Sequence, residues 1–273
     1  MRKTIPLGTP PANSYKLLLS MSAVTISIAT HKGGTGKTVT AMALAAALAR
    51  SDRKTLIVDL DAQGHSTLGL GIELNHHDPT LRDLFTDPST PAARIIRQTH
   101  YPALDILPSN IRLERIAQFL YMRPKREEVL RRALQPVAGG YQFIVIDCPP
   151  SLGALTETGI AAADLIVVPC QMEARAADGL VDLLEIIAIL RGDAFDRWRI
   201  LLTKVDPRKT LTNQAIMGAL QRWQDKTFQT VIPQSEPLNQ AQIARTDIFT
   251  FDGKSKGALA YQALTEEVLS LVQ

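Results

Sequence analysis

"IATHKGGTGKTVT", residues 28–40, decides how the rest of the chain is read. An apolar, β-branched run, AVTISIA (23–29), enters it, and a small-residue helical pattern, AMALAAALAR (41–50), leaves it. A loop that joins a buried strand to a helix start aims several backbone N–H groups at one point, where the helix dipole also favours an anion. Gly33, Gly34 and Gly36 let that backbone approach an anion with no Cβ in between, and Thr35 completes the cradle. Gly36-Lys37-Thr38 matches the second half of G-x-x-x-x-G-K-[ST], in which the lysine reaches the β and γ phosphates and the hydroxyl ligates Mg²⁺. Two features depart from that pattern. His31 stands where its first glycine belongs, and Lys32 adds a second positive charge that a one-subunit loop does not need.

Outward from the loop, apolar runs alternate with helical periodicity, the pattern of parallel strands joined by crossover helices. Strands are predicted at 55–61 (TLIVDLD), 104–107 (LDIL), 143–147 (FIVID), 165–169 (LIVVP), 199–203 (RILLT) and 228–232 (FQTVI). Helices are predicted over 37–50, 111–121, 125–135, 174–191, 209–224 and 258–271. Residues 72–103, broken by Pro79, Pro88, Pro91 and Pro102, are the least regular part. The expected fold is α/β: a doubly wound, mostly parallel sheet flanked by helices, of the P-loop NTPase type. One domain is expected over 21–273, preceded by a flexible extension over 1–20, with Met21 as an alternative start. The prolines at 6, 10 and 11 and Lys16 interrupt what would otherwise imitate a secretory leader.

Composition narrows the class. The chain has 273 residues, 45% hydrophobic and 21% charged, which suits a globular domain with a full core. Two cysteines, Cys148 and Cys170, make no disulfide framework and fit a reducing cytosol. No apolar run is long enough to span a membrane. A net charge of +3 means that any nucleic-acid binding must come from a local patch.

A phosphate loop needs an acidic partner for its metal, and Asp147 closes the apolar strand FIVID in the right place. Pro149 and Pro150 stiffen the following turn. Asp59 and Asp61 end another strand, on one face by alternation. Asp61 is assigned to positioning the attacking water and Asp59 to the Mg²⁺ hydration shell, with a purely structural carboxylate as the alternative for Asp59. Phosphoryl transfer asks for positioning and charge neutralisation more than for a strong base. His65 and the pair in NHHD (75–78) read as solvated side chains.

KGGTGKT (32–38), VDLDAQG (58–64), IVIDCPPS (144–151) and SKGALAYQALTEEVL (255–269), in that order, resemble the deviant Walker A ATPases of the ParA/MinD superfamily, and the resemblance covers about residues 23–271. It implies ATP and Mg²⁺ as ligands and a nucleotide-sandwich homodimer in which Lys32 reaches the neighbour's phosphates while Lys37 serves its own. It implies that Pro233 lies against adenine. It further implies, for ParA-like members, non-specific DNA binding by the dimer, a nucleoid-associated cytoplasmic location, and a ParB-like or cargo-adaptor partner that stimulates hydrolysis. Arg208 in DPRKTLT is the first candidate DNA contact, with Lys209 and Arg245 behind it. MinD-like membrane attachment is disfavoured, because the last seventeen residues carry Glu266 and Glu267 and no lysine or arginine. In 232–243, Gln234 and Glu236 replace a more basic segment of Soj relatives, and no helix-turn-helix domain is expected before the first strand. The cargo implied is a plasmid or chromosome; a protein assembly such as a carboxysome or chemoreceptor cluster is the alternative. A P-loop ligase of the dethiobiotin synthetase kind, and a nitrogenase-iron-protein-like reductase, are the competing classes. The reductase would need its cysteines placed to bridge a dimer.

Overall fold

The structure, a computed structural model, describes residues 23–173 and 177–272; the extension assigned to 1–20 and the start of the helix predicted from 174 lie outside them. Seven strands form one sheet in the order β3-β4-β2-β5-β1-β6-β7. They are β1 (Val24–Ile28), β2 (Thr55–Asp59), β3 (Arg97–Gln98), β4 (Leu104–Leu107), β5 (Phe143–Asp147), β6 (Leu165–Gln171) and β7 (Trp198–Thr203). All pairings are parallel except β3 with β4, a two-residue edge inside the proline-broken segment. The expected doubly wound architecture is therefore the observed one.

Strand alternation feeds two cores. Leu56, Val58, Ile144, Ile146, Ile166 and Val168 face one layer, made by α4 (Leu113–Leu120), α5 (Val129–Ala138), α6 (Ala154–Ala162), α7 (Asp178–Arg191) and α8 (Thr210–Leu220). Ile26, Ile28, Ile57, Val145 and Val167 face the other, made by α1 (Lys37–Arg50), α9 (Glu236–Ile243), α10 (Ile248–Asp252) and α11 (Lys256–Val272). Two short helices, α2 (His65–Gly69) and α3 (Leu81–Thr86), fill the connections beside β2 and β4. Alanine is the best helix former and the smallest core side chain, so α1 buries Ala41 through Ala49 almost all round.

The strand predicted at 228–232 does not form. Phe228 and Ile232 donate to the carbonyls of Ile200 and Leu202 on β7, as an eighth parallel strand would. Between them, however, the Glu267 carboxylate takes the N–H groups of Gln229 (2.9 Å) and Thr230 (2.7 Å), so only isolated bridges at Thr227 and Pro233 remain. No helix among the described residues is long and apolar enough to cross a membrane.

Candidate nucleotide site

Every candidate phosphate and metal residue comes together at the carboxyl ends of β1, β2 and β5, the place where open α/β sheets bind ligands. β1 ends at Ile28 and α1 begins at Lys37, with Gly34 (φ 76°) and Gly36 (φ 92°) both in the left-handed region between them. A Cβ on Gly33 would stand 3.8 Å from Pro150, so the turn after Asp147 lies against the loop. Thr203, at the end of β7, donates to the Thr35 carbonyl (2.8 Å) and pins the loop from the other side. Val205 bridges to Pro233, which places Pro233 beyond that same strand end.

Lys37 is buried, and its ammonium donates to the Lys32 carbonyl (3.0 Å). Burial lowers its pKa, against the raising pull of Asp147, Cys148 and Asp61. Asp59 faces Asp147 in register across β2 and β5, and both are fully buried. Ser66 donates to Asp147 (2.7 Å), and the Thr38 hydroxyl is near enough to lower its pKa, yet burial and Asp61 still push that carboxyl up. Its Oδ1 has no hydrogen-bond partner of normal geometry among the described residues. A buried carboxylate oxygen left over beside a threonine hydroxyl and a lysine fits a Mg²⁺ site, since Mg²⁺ keeps its waters and takes one or two carboxylates plus phosphate oxygens. Asp59 is different: the Thr67 N–H (2.8 Å) and hydroxyl (2.7 Å) and the Asp61 N–H (3.2 Å) all donate to it. Burial, then Asp147, raises its pKa to about 8. Among the described residues the Asp61 carboxylate accepts only the Gln63 N–H (3.0 Å), which leaves its second oxygen to spare.

Sequence reasoning passed over Ser66 and Thr67, although the quoted strand end continues straight into them, and it had no means of seeing Glu173 or Asp182. Lys32 pairs with Glu173, past the end of β6, and His31 meets Asp182 on α7 at 3.0 Å. Both halves of the loop's outer limb are thus tied to acids of the same chain.

The candidate DNA residues are not gathered in one place. Arg208 forks onto Asp206 (2.9 and 2.8 Å) in the loop after β7, with Lys209 next to it. Arg245 lies just past the end of α9, 3.6 Å from Glu73, and the adjoining Thr246 bonds Tyr101 just before β4 (2.8 Å), toward the opposite edge of the sheet. Cys148 and Cys170 are both buried with thiols pushed up, to about 12 and about 11, and Cys148 contacts Ser27, so neither is presented for a bridging cluster. Among the described residues no group of three His, Cys, Asp or Glu side chains is placed to hold a metal, and the NHHD histidines gather no others.

Comparison with known proteins gives the family. A family profile described as an AAA domain matches residues 23–200. The sporulation initiation inhibitor protein Soj of Bacillus subtilis is 37% identical over 246 residues, 89% of this chain and 97% of Soj. This chain belongs to the ParA/MinD superfamily of P-loop ATPases. Within the superfamily, the chromosome partitioning protein ParA of Myxococcus xanthus is 35% identical, covering 89% of this chain and 87% of that one. A solved superfamily-like structure, cobyrinic acid a,c-diamide synthase of Mycobacterium smegmatis with bound ATP analogue and magnesium, superposes with TM-score 0.77 at 30% identity, covering 90% and 94% of the two chains. Apo McdA of Cyanothece, at 24% identity and TM-score 0.81 over 90% of this chain and 99% of that one, shares the fold.

Proposed function

We propose that this chain is a ParA-like partition ATPase: ATP closes it into a sandwich dimer, the dimer holds nucleoid DNA without sequence preference, and a ParB-like or cargo-adaptor partner triggers hydrolysis and release. The observation that carries the reading is Lys32. It is half-exposed on the outer limb of a loop whose inner lysine, Lys37, is buried, and among the described residues its one ion pair is with a partly exposed glutamate. A cation there is available to a second subunit. In a two-fold assembly each copy gives and receives the same side chain, and a cation delivered in trans to a phosphoryl group is worth on the order of 10³-fold or more in rate.

In this reading the backbone of Gly33 to Thr38 and the Lys37 ammonium bind the phosphates, with Pro233 near the base. Thr38 and Asp147 would hold Mg²⁺, which would supply charge neutralisation to the phosphates. Asp61 orients the attacking water with its spare carboxylate oxygen, and Asp59, saturated by Thr67 and Asp61, fixes the metal side of the site through its hydrogen bonds. DNA contact is assigned to Arg208 and Lys209, with Arg245 at the far edge as a third candidate. The cargo is a plasmid or chromosome, with a protein assembly as the alternative.

Sedimentation with a non-hydrolysable ATP analogue tests this directly. Wild type should dimerise and Lys32→Ala should not; Asp61→Ala should persist as a dimer with ATP itself. A monomeric wild type at saturating analogue removes the proposal. One observation favours a second reading, a biosynthetic ligase: the likeness in fold, at 30% identity, to the cobyrinic acid a,c-diamide synthase of Mycobacterium smegmatis. In a ligase Lys32 would touch a small substrate, and oligomeric state would ignore both ATP and Lys32→Ala.

A further inference from the structure

The helix α4 and the turns on either side of it expose apolar side chains that the fold does not use. Ile111, Phe119 and Met122 are 58%, 64% and 84% exposed, while Leu113 and Leu120 of the same segment are buried. With Arg115, they stand at positions i, i+4, i+8 and i+11, which a helical repeat gathers on one face. The rim is basic. Arg112 and Arg123 donate to the carbonyls of Asp78 and Thr86, and the side chains of Arg115 and Lys125 make no hydrogen bond or ion pair among the described residues.

Both ends of this segment are wired to the carboxylate site. At the near end, the Ser109 N–H donates to the Thr67 hydroxyl (3.0 Å), which itself donates to Asp59 (2.7 Å). At the far end, the Ala154 N–H donates to the Tyr121 hydroxyl (3.1 Å), and Ala154 opens α6 after Ser151, Leu152 and Gly153, which follow the Pro149-Pro150 turn beyond Asp147. Arg126 lies over the Tyr121 ring and pairs with Glu157 of α6 (2.8 Å), so the linkage is braced.

We propose that the Ile111–Arg115–Phe119–Met122 face docks an amphipathic helix of a partner protein, apolar on one side and flanked by Asp or Glu, and that seating it shifts the Asp147 turn through Tyr121. Charge complementarity selects this occupant. A second copy on a two-fold axis would set Arg115 and Lys125 against themselves, and duplex phosphates offer nothing to three exposed apolar side chains. The segment follows β4, three strands from β1, roughly 14 Å along the sheet, and so stands apart from the Lys32 limb that the sandwich uses. The consequence for turnover rests on the reading of the chain as a partner-stimulated ATPase; the docking does not.

The test uses the full chain and two labelled synthetic peptides of about 20 residues, long enough to hold a helix, with leucines on one face and glutamates or lysines on the other. The glutamate peptide should bind; Phe119→Ser with Met122→Ser, and separately Arg115→Glu, should each weaken it about tenfold or more. The lysine peptide should not bind. Tyr121→Phe should keep the peptide's affinity and lose the change that the peptide makes in ATP turnover. Peptide affinity indifferent to all three surface changes overturns the proposal, as does preference for the lysine peptide. So does a serine double variant that loses self-association (a second copy) or phosphatidylglycerol vesicle binding (a lipid surface) and keeps the peptide. Turnover still responding in Tyr121→Phe removes the coupling. A wild type with no ATP turnover would sink the functional reading and leave the binding arms to decide the docking.

Discussion

Asp59 and Asp147 put two carboxyls side by side in a fully buried ladder, with Lys37 as the cation beside them. Two adjacent charges in that setting repel more than one lysine offsets, so the apo protein keeps a proton on the pair. With the Asp59 carboxyl raised from an ordinary 3.8 to about 8, the folded state binds more protons than the unfolded chain between those values. That stability is fully present below about pH 4 and is lost as pH rises through about 8. The apo melting temperature should therefore fall across this window, and Asp59→Asn should flatten the fall; an equal slope in both proteins would mean that the pair ionises freely. Lys32 raises a second question at this scale. Its pair with Glu173 is 51% and 35% exposed, and such pairs contribute about 0–1 kcal/mol. Releasing the lysine by Glu173→Gln should lower the protein concentration for half-dimerisation with an ATP analogue by no more than about fivefold per subunit, roughly thirtyfold for the two pairs of a dimer. A hundredfold change, roughly, would mean that Glu173 holds more than that one ammonium.

Among the elements, α6 carries the turn after Asp147 and lies very close to the sheet. A Cβ on Gly159 would come within 2.7 Å of the Cys148 sulfur, 3.2 Å of Leu60 and 3.3 Å of Ser27. Gly159→Ala should cost about 1–3 kcal/mol by overpacking, read as a lower urea midpoint at unchanged slope. Glycine in a helix otherwise costs stability, so the close approach is what gives it a purpose here. The sequence contained much of this layer: FIVID is a strand over the predicted residues, and α1 spans the predicted 37–50, because period-two and small-residue patterns follow directly from which faces are buried. FQTVI carries the same pattern and fails as a strand, because Glu267, 38 residues from Gln229, claims the ladder's donors. The helix α9 was passed over even though Ser235 and Pro237 mark its start, since its apolar positions are few. The phosphate loop and its carboxylates were legible as local motifs. The acids that hold Lys32 and His31 were not, being 141 and 151 residues away with no local signal.

For the molecule as a whole, a net charge of +3 leaves DNA binding to whichever cations are free to reach phosphate. The eight basic residues of 191–226 are not equally free. Arg191 turns inward to the carbonyls of Ile160 and Ala163, Arg199 to those of Asp196 and Trp198, and Lys226 pairs with Asp196 (3.7 Å). Arg222 lies over the Trp223 ring. Arg208 is the informative case, because its side chain is 84% exposed while its guanidinium is already committed to Asp206, whose carboxyl it holds down to about 2. DNA must compete with that carboxylate. Asp206→Asn keeps an oxygen for the Arg208 N–H and removes the competing charge, so it should tighten duplex binding by the ATP-bound dimer at low salt. Each phosphate neutralised adds about 0.9 to the magnitude of the log-affinity against log-salt slope. The slope should therefore steepen in Asp206→Asn and flatten in Arg208→Ala, the two changes together amounting to about 0.9 per subunit, with nucleotide-dependent dimerisation intact in both. Filter binding of non-specific duplex over a salt series reads both changes. A slope that neither substitution moves would take Arg208 out of the interface and leave Lys204 and Arg197, and Lys209 beside Asp206, as the cations to examine.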